Sequence, residues 1–145
     1  MKTYIICAAA AAMLSYDIAD AKAADKYVGE YAGTDNCAFN NPKLQTQCKV
    51  VIKKAGKAYK VDFVVADHFD ASKVVCKVSF NMKPGMAEDT NSRTVRKGLV
   101  GQFNGNSVNL FAEGPGEIFM IGGIKNDIVC GGKFVWSGLY GEIGD

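Results

Sequence analysis

The sequence predicts an all-β protein, an antiparallel up-and-down β-barrel of about eight strands stapled by disulfides. Three observations predict it. Apolar and polar residues alternate at period two along most of the chain, as in "YKVDFVVAD" and "KVVCKVSFNM". The segments between such runs are short and carry turn residues, as in "KAGKA", "NGN" and "EGPGE". Glycine is abundant and proline scarce, 16 against 3, a balance suited to many strands joined by tight turns. A two-sheet sandwich is the alternative architecture.

The elements follow in chain order. Lys2 precedes an uncharged apolar run, "YIICAAAAAML", that is too short to span a bilayer. Ala21 and Ala23 then supply the small-residue spacing of a signal-peptidase site. Residues 1–23 are therefore expected to be a cleaved secretory signal peptide and residues 24–145 a single β-barrel domain, periplasmic or secreted. The expected strands are "KYVGEYAG", "KVVIKK", "YKVDFVVAD", "KVVCKVSFNM", "TVRKGLVGQF", "SVNLFAE", "EIFMIGGIK" and "KFVWSGLYGEI". In the third, Tyr59, Val61, Phe63 and Val65 share a face; in the fourth, Val74, Cys76, Val78, Phe80 and Met82 do. "NGN" is a two-residue hairpin turn, because Asn and Gly tolerate positive φ. Three connections read as long loops: residues 37–48, "DHFDAS" and "KPGMAEDTNSR". The first strand holds "GEYAG" and the last "GLYGE", glycines beside tyrosines that let strands bend where a barrel closes. Closure also removes exposed edges.

Removal of the leader discards Cys7 and leaves Cys37, Cys48, Cys76 and Cys130, an even set in an exported small domain. The favoured pairing joins Cys37 to Cys48 and Cys76 to Cys130, the latter tying mid-chain to the last strand. None of the spacings is C-x-x-C and the only histidine is His68, so no metal site or cofactor is expected. His68 in "ADHFD" reads as part of a polar turn. No nucleophile elbow and no phosphate loop occur, so the chain is expected to bind rather than catalyse. The net charge of +2 gives no case for nucleic acid. Lys60, Asp62, Lys77, Arg96 and Glu113 on the second strand face argue against a lipid-facing barrel, and no transmembrane span is expected in the mature chain.

Two binding modes remain. Loops on a stapled scaffold can grip a protein, and the candidate loop presents Met86, Glu88, Asp89, Asn91, Ser92 and Arg93. Alternatively, Tyr59, Phe63, Phe80, Phe103, Trp136 and Tyr140 line an interior that carries a small apolar ligand. Barrels of about eight strands are just wide enough for side chains to fill, which favours the first.

The leader, the strand meander, "GEY" near the mature start, the paired cysteines and the final "CGGKFVWSGLYGE" together resemble small calycin-type barrels of the bacterial periplasm. That group includes lysozyme inhibitors, peptidase inhibitors and lipocalin-like proteins. The resemblance implies a protein partner, a hydrolase, as first expectation. A carrier of a small apolar ligand or a structural envelope protein is the alternative.

Overall fold

The alternating segments become strands. In the computed structural model, which describes residues 25–33, 46–122, 128–131 and 134–144, these are β1 (Gly29–Gly33), β2 (Thr46–Ala55), β3 (Ala58–Asp67), β4 (Val74–Asp89) and β5 (Thr94–Phe103). Then follow β6 (Asn106–Gly114), β7 (Glu117–Gly122), β8 (Ile128–Val129), β9 (Phe134–Val135) and β10 (Gly138–Glu142). Eight of them close into an antiparallel barrel in the order β1-β10-β7-β6-β5-β4-β3-β2. This is the all-β closed barrel the alternation predicts, and it agrees with a calycin-like architecture. β8 and β9 form a separate hairpin inserted between β7 and β10.

The turns follow their residues. Phe103 pairs with Asn106 across Asn104 and Gly105, whose φ values of 49° and 79° are those a two-residue primed turn demands. Ala55 pairs with Ala58 around Gly56, again at positive φ, 62°. At "GPGE", Pro115 precedes Gly116 at φ 69°, the residues of a type II turn. Such a turn splays strands that twist right-handedly, and the β6–β7 register accordingly shifts between Ala112 and Gly114.

The two glycine–tyrosine segments meet at the seam. Tyr31 of β1 lies opposite Glu142, and Gly33 opposite Tyr140 of β10. Each tyrosine is buried and donates its hydroxyl to the carbonyl four residues upstream: Tyr31 to Tyr27 at 3.2 Å and Tyr140 to Trp136 at 2.5 Å. The paired tyrosines thus fix the chain where it enters β1 and β10. Burial pushes the Tyr140 hydroxyl far above its ordinary range.

Two expectations about the C-terminal part are corrected. "KFVWSGLYGEI" is not one strand but β9 and β10, interrupted at Trp136 and Ser137. Trp136 leaves the ladder because its side chain goes wholly into the core, and the Ser137 hydroxyl accepts the Gly122 backbone N–H at 3.1 Å, ending β7. The Cys76–Cys130 disulfide forms as expected, with Cα atoms 6.0 Å apart. Its second cysteine, however, sits in the β8–β9 turn rather than in the last strand, so the bond ties the inserted hairpin to β4. Cys48 is buried and also disulfide-bonded. Cys37, its expected partner, lies outside the described residues, as does the 1–23 leader.

Inward-facing Val50, Ile52, Val61, Phe63, Val65, Leu99, Val108, Leu110, Ile118, Met120 and Trp136 have essentially no accessible surface. Outward positions carry charge: Lys49 pairs with Glu30 at 3.2 Å and Lys77 with Asp62 at 2.9 Å.

Candidate functional site: the β4–β5 arm and its cleft

Two strands outgrow the barrel. β4 pairs with β3 only as far as Met82, opposite Tyr59, yet runs on to Asp89. β5 pairs with β6 only from Leu99 onward, yet starts at Thr94. The surplus residues pair with each other, from Lys83 opposite Val100 to Asp89 opposite Thr94. They form a two-stranded arm. "KPGMAEDTNSR" is therefore not the loop expected from sequence: Met86, Glu88 and Asp89 stand on β4, and only Thr90 to Arg93 turn. Pro84 and Gly85 signalled a loop because both are poor strand formers, but here Pro84 sits on an edge, where a missing N–H costs nothing.

The arm folds back over the outside of the barrel like a turned page. Its formerly outward face lands on the outward face of β6 and β7. Ala87, Phe111 and Ile121 form a second small core there, flanked by Val100 and Phe119. Asn109 of β6 donates from Nδ2 to the Glu88 carbonyl at 2.9 Å. Arg96 crosses to Glu113 with both guanidinium nitrogens, one at 3.2 Å, and lies 4.1 Å from the centre of the Phe111 ring. Both carboxylates near it, Glu113 and Asp89, hold the Arg96 proton more firmly than usual, the Glu113 hydrogen bond most of all. Gly98 makes the close approach possible, since a Cβ there would lie 2.5 Å from the Leu110 carbonyl oxygen.

Turning the page inverts exposure. Along the barrel part of β4 the even positions Val78, Phe80 and Met82 face inward. In the arm the same phase puts Pro84, Met86 and Glu88 in solvent, and Met86 and Val95 are each 60% exposed. At the tip, the Asp89 carboxylate accepts the backbone N–H groups of Asn91 at 3.0 Å and Ser92 at 3.3 Å, which hold its pKa below the ordinary range together with a Ser92 side-chain hydrogen bond, the largest cause. Arg93 adopts φ 54° and closes the turn. The six candidate residues thus belong to one arm: Met86 and Glu88 on its outer face, Asp89 as the brace of its tip, and Asn91, Ser92 and Arg93 in the exposed turn.

Between the arm and the barrel wall runs an open cleft of about 730 Å³. Lys83, Met86 and Glu88 line its arm side; Asn81, Gln102, Ser107 and Asn109 line the wall. The wall residues are missed by sequence reasoning because they are isolated polar positions on three different strands. A signal was nonetheless present in "EIFMIGG", where Phe119 and Ile121 alternate with Ile118 and Met120, apolar on both faces as in a strand covered on both sides.

The alternative interior residues come together, but against each other. Trp136 packs edge-on with Phe80 and Phe103 at 5.3 Å between ring centres and with Phe63 at 6.5 Å. Tyr140 abuts the same core, while Tyr59 sits at its margin with its hydroxyl 2.7 Å from Asp25 and from Lys54. His68 is exposed, stacked edge-on against the 79%-exposed Phe69, and no group of three or more metal-ligating side chains occurs among the described residues.

Compared with protein-family models, curated proteins and solved structures, the chain matches none of them.

Proposed function

We propose that this protein is an exported binding protein that inhibits a hydrolase, of lysozyme or peptidase type, and that it grips its target with the β4–β5 arm. The observation that carries the reading is the contrast between interior and arm. The aromatic residues that a carrier would use occupy the space themselves, with Phe63 and Trp136 left no accessible surface. Outside, a pinned arm displays Met86 and Val95 to solvent beside an open cleft. Large apolar side chains held out on a braced hairpin are what an interface anchor requires, and bracing reduces the ordering cost of binding. A disulfide between Cys76 and Cys130 suits an oxidising compartment.

The test is an inhibition assay of the full exported chain against lysozymes and a panel of secreted peptidases. Saturable inhibition of one of them, weakened at least tenfold by Met86→Ala with Arg93→Ala while the thermal midpoint holds, is the expected result. Inhibition insensitive to both changes removes the arm from the interface. Stoichiometric binding of a fatty acid in place of inhibition favours the carrier reading instead.

A further inference from the structure

Among the described residues, no strand pairs with the β4 edge of the arm beyond Met82. In an antiparallel ladder, alternate residues turn both backbone polar groups toward the partner, and the residues between turn theirs away. The Glu88 carbonyl accepts from Asn109 on the barrel wall, so Glu88 belongs to the set that faces away from β5. Met86 and Pro84 share its phase. Pro84 has no N–H to leave unpaired, but Met86 presents both its N–H and its carbonyl along the cleft. The cleft floor offers Asn81, Gln102 and Ser107, whose side chains make no hydrogen bond within the described residues. Lys83 at one end of the edge and Glu88 at the other have no ion-pair partner among those residues, and five residues of strand set them about 17 Å apart.

We propose that this cleft takes an extended polypeptide segment as an added strand along Pro84–Glu88, with an acidic side chain against Lys83 and a basic one against Glu88. The proposal rests on the reading of the arm as the target-gripping element and names the chemistry of what it grips. Main-chain hydrogen bonds to Met86 supply affinity, and the two end charges set direction. The floor amides serve the added strand's outward polar groups. Among the described residues that line the cleft there is no aromatic ring to serve as a stacking platform for a sugar or a base.

The test uses the full exported chain and blocked hexapeptides with glutamate at one end, lysine at the other, and threonine and valine between, so that the two charges are five steps apart and on opposite faces like Lys83 and Glu88. Amide NMR spectra are recorded during titration. The Met86 and Glu88 signals should shift saturably, and the Met86 amide should exchange more slowly with solvent. The peptide with its two charges reversed in order should bind at least tenfold more weakly. N-methylation of the central peptide amide should weaken binding at least about tenfold, with no change to the protein. Inversion of the order preference in Lys83→Glu with Glu88→Lys, so that the reversed peptide now binds more tightly, completes the support. Absence of shifts at Met86 and Glu88 at millimolar peptide, or equal binding of the N-methylated peptide, overturns the added strand. A target that is still inhibited in that case leaves the arm reading standing and retires only this inference. A complex in which the target presents a glycan to the cleft overturns it too.

Discussion

Gly98 and Arg96 decide whether the arm lies down. A methyl group at position 98 would meet the Leu110 carbonyl at 2.5 Å and the Ala87 methyl at 3.0 Å, both parts of packed strands that cannot yield cheaply. Gly98→Ala should therefore destabilise by about 1–3 kcal/mol in urea unfolding. It should also make the Thr90–Arg93 turn more sensitive to protease. Arg96→Ala removes the link to Glu113 and the ring contact with Phe111; its side chain is 38% exposed, so the cost should be only about 1 kcal/mol. Tyr140→Phe leaves the Trp136 carbonyl without its donor inside the core and should cost about 1–3 kcal/mol. The same tyrosine sets the alkaline limit. Its native pKa is raised by burial, so the unfolded chain loses its proton first, and stability should fall as pH rises past about 10. At the acid end, burial works against the Asp62 charge but the Ser79 hydroxyl and Lys77 outweigh it, leaving the native pKa lowered. Stability from Asp62 is thus present above the ordinary carboxylate pKa and lost as pH falls through the lowered native value. Urea midpoints measured across pH check both limits. The Arg96–Glu113, Gly98–Leu110 and Asp62–Lys77 pairings could not be read from sequence, because each joins residues on different strands.

At the scale of elements, alternation made the strands legible. Val78, Phe80 and Met82 face inward as their spacing requires, but Val74, expected on the same face, is exposed because the β3–β4 register shifts at Val65 and Ala66; the Asn104–Gly105 turn has the positive φ values its residues imply. What sequence hid was the change of role within one strand. Met86 continues the phase of Met82, yet one is 60% exposed and the other 1%. Period two reports which residues share a face, not what later covers that face. Pro84 and Gly85 carried the bend, and they read as a loop for that reason. The split between β9 and β10 was hidden likewise, since Trp136 fits a strand pattern and only its depth in the core removes it from the ladder. The inserted hairpin is held to β4 by Cys76–Cys130, which spans 54 residues. On chain-entropy grounds its loss in Cys76→Ala with Cys130→Ala should cost about 4 kcal/mol. The loosened hairpin should expose Trp136, seen as a red shift of its fluorescence.

Among the described residues, the barrel's inward aromatic side chains pack on one another and the arm covers part of its outer wall. Length, glycine content and the tyrosine-bearing first and last strands pointed to closure, and β1 does pair with β10. Filling follows from size: eight strands enclose about the volume their own inward side chains occupy. The proposed function depends on that filling, because it moves binding from the interior to the arm. Trp136 is the chain's only tryptophan and stands at the centre of the aromatic cluster, so it reports directly on the interior. The most direct measurement is its fluorescence during titration of the full chain with a long-chain fatty acid. With the interior occupied by its own side chains, emission should show no saturable change. A saturable change at one equivalent, accompanied by a rise in thermal midpoint, would mean that the barrel opens to hold a ligand, and would contradict that filling.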